Sequence, residues 1–576
     1  MHPPWLRGSA PTIPTCLSWI DRRIVPRHRS PRSPRNGQAQ LNRGRMWRQS
    51  PAPVSATWRL AVVLWTPPGS TPQNEVLAVS RSGSEVVPSG ERSPRPEDGA
   101  SRLYRAVPLW ALGLMACAFA TVFGLLVAVE RLELGIAFAV GVVLLVVTTV
   151  GFVAVPQVVA AAAVSYLVLL PMLERFGTAA LGGTKDIVTL AAVLASAIVF
   201  IERRYSAERA TVDPCVITAV GLLLGLYAVD GGAVLAGSGH GWPWFHGVRL
   251  VAEPLLLLVA GMMLPHPVRT LRWASVALLT TGVVIAAFGI AQQAIGVDRL
   301  LRLGYVYGQE VRQVDGHLRS FGTLDDPFAY ASVLLLSLAV LLFVTTLRPR
   351  ASGAFALLSC GLIVSYVRSA AVGALALVGL ALARRGRRGA EILRIAPAAL
   401  GAIVLFAIIL GFSASTPDRD GPTRFLPLQA RTELWRQAVG DSPLHWAIGR
   451  GVGKVGTAAQ RASDSLIRTS KVPQKRGTVV DSSYVVTISD VGVLGLLVLL
   501  TLFARLLVLA RRAATGGQAA GWLAFGVVTV MLLDGLTRES WTSVPTAYLG
   551  MLMVGLAVAA WSQVSEIGVP VRATRQ

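Results

Sequence analysis

The sequence predicts an all-α integral membrane protein, and three observations carry that prediction. Of the 576 residues, 53% are hydrophobic and only 15% are charged, and the mean hydropathy is +0.57. Soluble domains carry about a quarter charged residues, so this composition argues against a soluble enzyme. Apolar runs of roughly 20 residues, the length that crosses a bilayer as a helix, recur from Val107 onward. The short breaks between these runs carry clusters of arginine.

The first 105 residues differ in composition from the rest of the chain. They contain 15 of the 33 prolines and 16 arginines, but only six acidic residues. Such a segment has too little apolar surface to offset the entropy lost on ordering. We therefore predict a disordered, Arg/Pro-rich cytoplasmic tail over 1–105. The alternative is that the tail is a gene-start artefact and that translation begins nearer Val79 or later.

After the tail, we predict about 12–14 transmembrane helices in three parts. N-terminal helices occupy 106–297, a core occupies 298–510, and C-terminal helices with a short tail occupy 511–576. The spans are predicted at about 107–129, 132–155, 156–173, 187–201, 215–236, 248–264, 273–296, 329–347, 395–413, 485–510, 521–537 and 543–562, with a split run at 353–383. If the split run crosses and returns as two short helices, every strongly basic short loop falls on the cytoplasmic side, as the Lys/Arg bias of membrane proteins requires.

Several function classes are excluded by composition. The net charge of +23 suggests nucleic acid, but a nucleic-acid binder concentrates its basic residues on one folded face. Here the charges lie in the tail and in short loops, so we expect no nucleic-acid partner. The four cysteines fit no disulfide framework and no zinc spacing, and no nucleotide-binding Walker sequence is present. We therefore expect neither a metal nor a cofactor.

Two polar segments then fall on the outer face of the predicted topology. One covers about 298–328, and the other is one long extracytoplasmic loop at about 414–484. The long loop contains apolar residues and a Gly-rich end at 449–453. Long loops in compact proteins are usually functional or disordered, and the apolar residues indicate an ordered unit that lies on the membrane.

Three arginines on or near this outer face are candidates for binding an anion. Arg368 lies within the split apolar run, and a charged side chain inside a membrane span usually faces a functional cavity. Arg319 precedes the span at 329–347, and Arg431 lies in the long loop. Guanidinium groups match diphosphate oxygens two hydrogen bonds at a time. Converging arginines on one membrane face therefore predict an anionic lipid-linked substrate such as a polyprenyl diphosphate.

Asp481 lies where the long loop meets the next span. A carboxylate at this boundary is suited to act as a general base toward an incoming hydroxyl. The alternative is that Asp481 caps the helix that follows.

Four blocks of the chain together resemble the O-antigen ligase and O-antigen polymerase family of bacterial membrane proteins. Arg-Ser-Phe-Gly-Thr at 319–323 with Asp-Pro-Phe at 326–328 is similar to the family's Arg…Gly-Thr…Asn-Pro-Asn segment. Ser-Tyr-Val-Arg-Ser at 365–369 is similar to its Ser-x-Ser-Arg-Gly helix break. The segments at 431–453 and 481–495 resemble its outer loop and its His-Asn-x-Tyr and Gly-x-x-Gly segment.

The resemblance implies a metal-independent, inverting glycosyltransferase in the bacterial plasma membrane. It would ligate or polymerise polyprenyl-diphosphate-linked oligosaccharide outside the cytoplasm for cell-surface polysaccharide synthesis. By position, Arg319 and Arg368 would stabilise the diphosphate leaving group and Asp481 would activate the acceptor, which is a glycan or a lipid. The remaining substrate-binding positions would be Arg431, Trp435, Arg450 and Tyr484.

Two departures from the family pattern favour a polymerase-like or divergent member. Asp481 stands where the family's ligases commonly have histidine, and Asp-Pro-Phe replaces Asn-Pro-Asn. Two other functions stay open. A secondary transporter or flippase for an anionic lipid-linked sugar also explains arginines on the outer face. A metal-dependent glycosyltransferase would use Asp418 and Asp420 as its acidic motif.

Overall fold

The computed structural model describes residues 132–177, 179–205, 212–237, 241–307, 310–314, 316–345, 349–385, 428–440, 442–457, 459 and 480–566. About 83% of these residues are helical. Eight of the helices are long and apolar enough to cross a membrane, and three shorter apolar helices accompany them. The prediction of an all-α membrane fold is thus confirmed at this level. The tail at 1–105 and the spans at 107–129 and 395–413 lie outside the described residues.

The helices follow the predicted apolar runs, and proline often marks their starts. The N-terminal group comprises α1 (Leu132–Ala154), α2 (Pro156–Phe176), α3 (Thr184–Tyr205), α4 (Pro214–Gly237), α5 (Gly241–Met263), α6 (Pro267–Ile295) and the short α7 (Val297–Arg302). The central group comprises α8 (Pro327–Phe343), α9 (Pro349–Val364) and α10 (Arg368–Arg385). The last group comprises α11 (Leu428–Val439), α12 (Pro443–Ile448), α13 (Ser483–Thr515), α14 (Ala519–Thr537) and α15 (Thr546–Glu566). Proline favours the first helical position because it needs no amide partner there.

The outer surface of α1 is suited to lipid rather than water. Val140, Val143, Val147 and Val150 share one face of the helix, and each is between 48% and 62% exposed. A contiguous apolar stripe of this kind on a soluble protein would be an aggregation or docking surface. On a multi-pass membrane protein it is the lipid-facing surface.

Helix α8 lies at the centre of the bundle. It packs against α6, α9, α10 and α14, and all but one of its residues are buried. Its serine hydroxyls have partners: Ser337 donates to the carbonyls of Leu278 and Val333 at 3.1 and 2.9 Å. Ser332 hydrogen-bonds to Asp534 of α14 at 2.6 Å. The helix therefore provides a rigid axis for the elements around it.

Helices α9 and α10 run in opposite directions on either side of a break. Ser320 donates its amide to the Val364 carbonyl at the end of α9 (2.9 Å). At the far end of α10, Arg384 donates to the Phe343 carbonyl at the end of α8 (2.7 Å). The run at 353–383 thus forms two helices that go and return along α8, as the split apolar run predicts.

A small β-hairpin interrupts the helical fold between α7 and α8. Strands β1 (Arg312–Val314) and β2 (His317–Arg319) pair in antiparallel register. The sequence indicates only a polar outer segment at 298–328, so these strands are not predicted. We call the end of the bundle that carries this hairpin the hairpin end. Helices α8, α10 and α13 begin there, and α6, α9 and α14 end there.

A buried ionic network joins α3, α5 and α15. Lys185 is 3% exposed and its ammonium lies 2.7 Å from Glu253. Tyr548 also hydrogen-bonds to Glu253, and Arg249 pairs with Asp186 at 2.9 Å. The network contains two cations and two anions. Such pairing allows charged groups to be buried in a region of low dielectric constant.

Candidate functional site

The hairpin docks onto the break between α9 and α10. The Arg319 Nε donates to the Ser365 carbonyl at 3.3 Å, next to the bond between Ser320 and Val364. Tyr366, in the break, has a φ of +52°, a left-handed conformation that is uncommon for residues other than glycine. Its ring stacks on that of His317, with centroids 6.0 Å apart. The hairpin and the break therefore support one another.

Two adjacent glutamines of α6 hold the chain on either side of Arg319. Gln293 donates to the Leu318 carbonyl at 2.8 Å and to the Ser320 hydroxyl at 2.7 Å. Gln292 accepts from the Gly322 amide and donates to the Gly322 carbonyl, at 2.9 and 2.8 Å. Three of these hydrogen bonds hold the backbone on either side of Arg319, and the fourth holds the Ser320 hydroxyl.

Arg319 is a buried cation beside two further arginines. It is 9% exposed, and its guanidinium carbon lies 4.7 Å from the centroid of the Phe328 ring. The pKa of Arg319 is lowered to about 10, chiefly by burial and also by the positive charges of Arg312 and Arg368, and the negative charge of Asp326 opposes these effects. These effects agree with the geometry, because Arg312 pairs with Arg319 in the hairpin and Arg319 donates to Ser365, three residues before Arg368.

Two of the arginines lie on the paired strands of the hairpin, and the third begins α10. Arg312 stands directly opposite Arg319 in the hairpin, and like charges in that position destabilise a strand pair. Arg368 is exposed at the first position of α10, where the helix dipole adds positive potential. A bound anion would relieve the repulsion of Arg319 by Arg312 and by Arg368. The predicted role of Arg319 and Arg368 in binding a diphosphate stays a prediction, and the structure adds Arg312 to the same neighbourhood.

Asp326 and Arg538 connect this cluster to α13 and α14. The Asp326 carboxylate caps α8 by accepting the amides of Phe328 and Ala329 at 2.7 and 2.8 Å. Arg538 lies 3.8 Å from Asp326 and donates to Ser332 at 3.0 Å. Burial acts to raise the pKa of Asp326, but the Arg538 charge and the two amides outweigh it and hold that pKa below its ordinary value.

Asp481 lies at the same end of the bundle, at the start of α13. Two residues later, Ser483 donates both its amide and its hydroxyl to the Arg538 carbonyl, at 3.1 and 3.0 Å. Asp481 itself is partly buried, and its carboxylate makes no hydrogen bond or ion pair within the described part of the chain. The residue at the N-cap of α13 is Ser482, so Asp481 does not cap the helix.

Tyr484 is engaged within the protein. Its hydroxyl donates to the Leu532 carbonyl of α14 at 3.1 Å. Its ring meets Trp541 edge to face, with centroids 4.5 Å apart. The predicted contact of Tyr484 with substrate stays a prediction, and the structure gives the side chain a helix-joining role.

The three site residues predicted in the long outer loop, Trp435, Arg450 and Arg431, have different surroundings in the structure. Trp435 packs against a small apolar cluster that contains Ala438 and Val455. Arg450 donates to the carbonyls of Gln437 and Ala438 at 2.8 and 3.0 Å, which satisfies the end of α11. Arg431 contrasts with both, because its buried Nε has no hydrogen-bond partner among the described residues.

The Gly-rich segment that follows Arg450 does not offer its amides to a phosphate. The Val452 amide donates to Asp230 at 2.9 Å, and the Thr457 amide donates to Glu539 at 2.6 Å. Gly451 and Gly456 have positive φ values of 102° and 71°, which lets the chain turn toward these carboxylates. The amides of Val452 and Thr457 are therefore not free to bind a phosphate.

Sequence reasoning missed Arg312, although a signal was present. Asp315-Gly316 lies between two short stretches that contain valine and leucine, and Asp-Gly between such stretches is a strong hairpin signal. The importance of Arg538 had no comparable signal, because its contacts join residues some 200 positions apart.

The chain matches no model of a known protein family and no curated protein sequence. Among the described residues, no group of three or more His, Cys, Asp or Glu side chains is arranged to hold a metal ion. Asp418 and Asp420 lie outside the described residues.

Proposed function

We propose that the protein is a bacterial plasma-membrane glycosyltransferase that ligates or polymerises polyprenyl-diphosphate-linked oligosaccharide for the cell surface. The observation that carries the proposal is the convergence of Arg312, Arg319 and Arg368 at one end of a membrane-type helix bundle. Guanidinium groups bind diphosphates bidentately, and a buried cation such as Arg319 gains most from an anionic partner.

The orientation of the bundle supports an extracytoplasmic site. Strongly basic helix ends lie opposite the hairpin end, and they include Arg203, Arg204, Arg269, Arg272, Arg384, Arg511 and Arg512. Positively charged loops remain in the cytoplasm, so the hairpin end faces outward. With the two predicted spans outside the described residues, the chain crosses the membrane about 12–14 times.

The proposed reaction is a single displacement at the anomeric carbon of the donor sugar. The acceptor hydroxyl oxygen forms the new glycosidic bond as its proton passes to the Asp481 carboxylate. The bond between the anomeric carbon and the diphosphate oxygen breaks, and polyprenyl diphosphate leaves with the electron pair. Arg319 and Arg368 stabilise the charge that develops on this oxygen, and a single displacement inverts the anomeric configuration.

The proposal is tested with purified protein in detergent. The donor is a polyprenyl-diphosphate oligosaccharide without nucleotide sugar, and the products measured are polyprenyl diphosphate and longer glycan. We expect release that survives EDTA and that is lost in Arg319→Ala and Asp481→Asn but retained in Arg511→Lys, an exposed arginine at the opposite end. Laddered glycan indicates a polymerase, and a single transfer to an added acceptor indicates a ligase. No release from any such donor refutes the proposal.

A second candidate function is secondary transport of an anionic lipid-linked sugar. One observation favours it: α13 is broken at Val491 and Gly492, and transporter binding sites are commonly built on broken helices. Flux of the lipid-linked donor across proteoliposomes, without release of polyprenyl diphosphate, would select this function over transfer.

A further inference from the structure

Helix α13 contains a break about 10 Å along its length, counted at 1.5 Å per residue. Val491 (φ −130°, ψ 15°) and Gly492 (φ 72°, ψ −176°) leave helical geometry, and helix resumes after them. A side chain at Gly492 would collide with the backbone of Ala447 in α12. The break is therefore built into the packing, and it divides α13 into a short outer half that ends at Asp490 and a long inner half.

Asp490 places a carboxylate at this break without a cationic partner. The residue is 5% exposed, and its buried Oδ1 accepts no hydrogen bond within the described part of the chain. The Gly453 amide is the backbone donor to this carboxyl group. A buried carboxylate that lacks a cation is strongly unfavourable, and the negative end of the outer half-helix adds to the unfavourable potential.

The groups that face Asp490 increase the negative potential. Glu539 and Asp230 act on it electrostatically, and the same three carboxylates act on the buried Tyr227. The two cations that flank Gly453 in sequence are engaged elsewhere in the described structure. Arg450 binds the carbonyls at the end of α11, and the Lys454 ammonium donates to the Arg450 carbonyl.

A small cavity opens beside Asp490 and is lined by oxygen-bearing side chains. Tyr227, Ser483, Thr487, Glu539 and Thr542 contribute to its wall, together with apolar residues of α5 and α13. The Glu539 carboxylate already accepts hydrogen bonds from Thr457 and Thr542. The Asp490 Oδ1 accepts none within the described part of the chain, and hydroxyl oxygens beside it suit a small cation of single charge. A divalent centre is disfavoured, because the described chain has no group of three acidic or histidine ligands arranged for one.

We propose that Asp490 anchors a monovalent-cation site, occupied by H⁺ or Na⁺, at the break in α13. The site lies on a different element from the arginine cluster and does not depend on the glycosyl-transfer proposal. Broken membrane helices bind coupling ions in this way, with a carboxylate and freed helix ends at the break. Occupancy would neutralise the carboxylate and so stabilise the contact of α12 with the break.

Two measurements on the purified wild-type protein separate the two cations. Equilibrium binding of ²²Na⁺, with choline chloride as the balancing salt, reports sodium. Infrared spectroscopy in the carboxylic-acid C=O region, without sodium, reports a buried protonated carboxyl group. Asp490→Asn removes the charge at nearly constant shape, and Asp213→Asn is the matched control, because Asp213 pairs with Arg505 at the other end of α13 (2.6 Å).

Sodium binding that weakens at least about tenfold in Asp490→Asn and persists in Asp213→Asn would support a sodium site. An infrared band of a protonated carboxyl that disappears only in Asp490→Asn would support a proton site. If Asp490→Asn does not fold, Asp490→Glu serves instead, with a shifted band or altered sodium affinity expected. A wild-type protein that shows neither sodium binding nor a protonated carboxyl overturns the proposal.

Discussion

Arg312 and Arg319 stand directly opposite each other in the antiparallel hairpin, with Arg319 buried beneath the aromatic ring of Phe328. Opposed like charges cost about 0.2–1 kcal/mol relative to a neutral pair. The negative charge of Asp326 acts on Arg319, and under the proposed function a bound diphosphate adds further negative charge beside the pair. The two roles of Arg312 can therefore be separated by experiment, because they affect stability and binding in opposite directions.

We expect Arg312→Gln to raise the KM for the polyprenyl-diphosphate donor about tenfold, the loss of roughly one charge-assisted hydrogen bond. The apparent melting temperature without donor should stay equal or rise, because the opposed charge is gone. The control is Arg302→Gln, an exposed arginine of α7 at the same end of the bundle. A fall in melting temperature with unchanged KM would assign Arg312 to the fold rather than to the donor.

Arg368→Lys should reduce the rate of polyprenyl diphosphate release about 100-fold, because a point charge does not replace two aligned hydrogen bonds to the leaving group. Arg368 is exposed at the start of α10, so the free energy of unfolding should change by no more than about 0.5 kcal/mol. Initial rates and thermal unfolding, compared with those of Arg511→Lys, provide the check. Turnover close to that of the wild type would remove Arg368 from the reaction.

Asp481→Asn should lower kcat by about 10²–10⁴ while leaving the donor KM unchanged, since a general base acts on the acceptor and not on donor binding. The matched control is Asp298→Asn, an exposed carboxylate at the hairpin end. Steady-state kinetics with saturating acceptor distinguish the two parameters. An effect confined to KM would mean that Asp481 positions a substrate and does not accept its proton.

Asp326 should make stability depend on pH in the acidic range. Its pKa in the folded protein lies below the ordinary value, whereas the unfolded chain has a pKa of about 3.9. The ionised carboxylate therefore contributes its full stabilisation above about pH 5, and this is lost as the pH falls through the folded-state pKa. The difference in thermal stability between wild type and Asp326→Asn should shrink on acidification from pH 7 to pH 3. A constant difference would contradict the ion pair with Arg538.

The sequence predicts helices well because each apolar run must satisfy its own backbone hydrogen bonds in lipid. It also predicts the break before Arg368 and the separation of α1 from α2 at Pro156. The candidate site is predicted only in part. Arg319 and Arg368 belong to recognisable segments, whereas Arg538 meets Ser332 across two helices that are far apart in the chain. Local spacing carries no information about such a contact.

The outer segment shows a related limit of sequence reasoning. The sequence does not distinguish Arg431 from Arg450, and both are predicted to bind the donor. In the fold, the Arg450 guanidinium satisfies two carbonyls at the end of α11, whereas the Arg431 Nε has no hydrogen-bond partner in the described structure. Only the path of the backbone determines which arginine hydrogen-bonds to the carbonyls at a helix end.

This difference gives a paired prediction for the two arginines. Arg450→Gln should destabilise the protein by about 1–3 kcal/mol, because the end of α11 loses a charged donor, and the donor KM should stay at the wild-type value. Arg431→Gln should raise the KM and leave the melting temperature unchanged. Both variants remove one positive charge from the same outer segment, so long-range electrostatics affect them equally. The prediction would be contradicted if Arg450→Gln raised the KM as much as Arg431→Gln at unchanged stability. That result would mean that the wild-type Arg450 guanidinium leaves α11 and binds the donor.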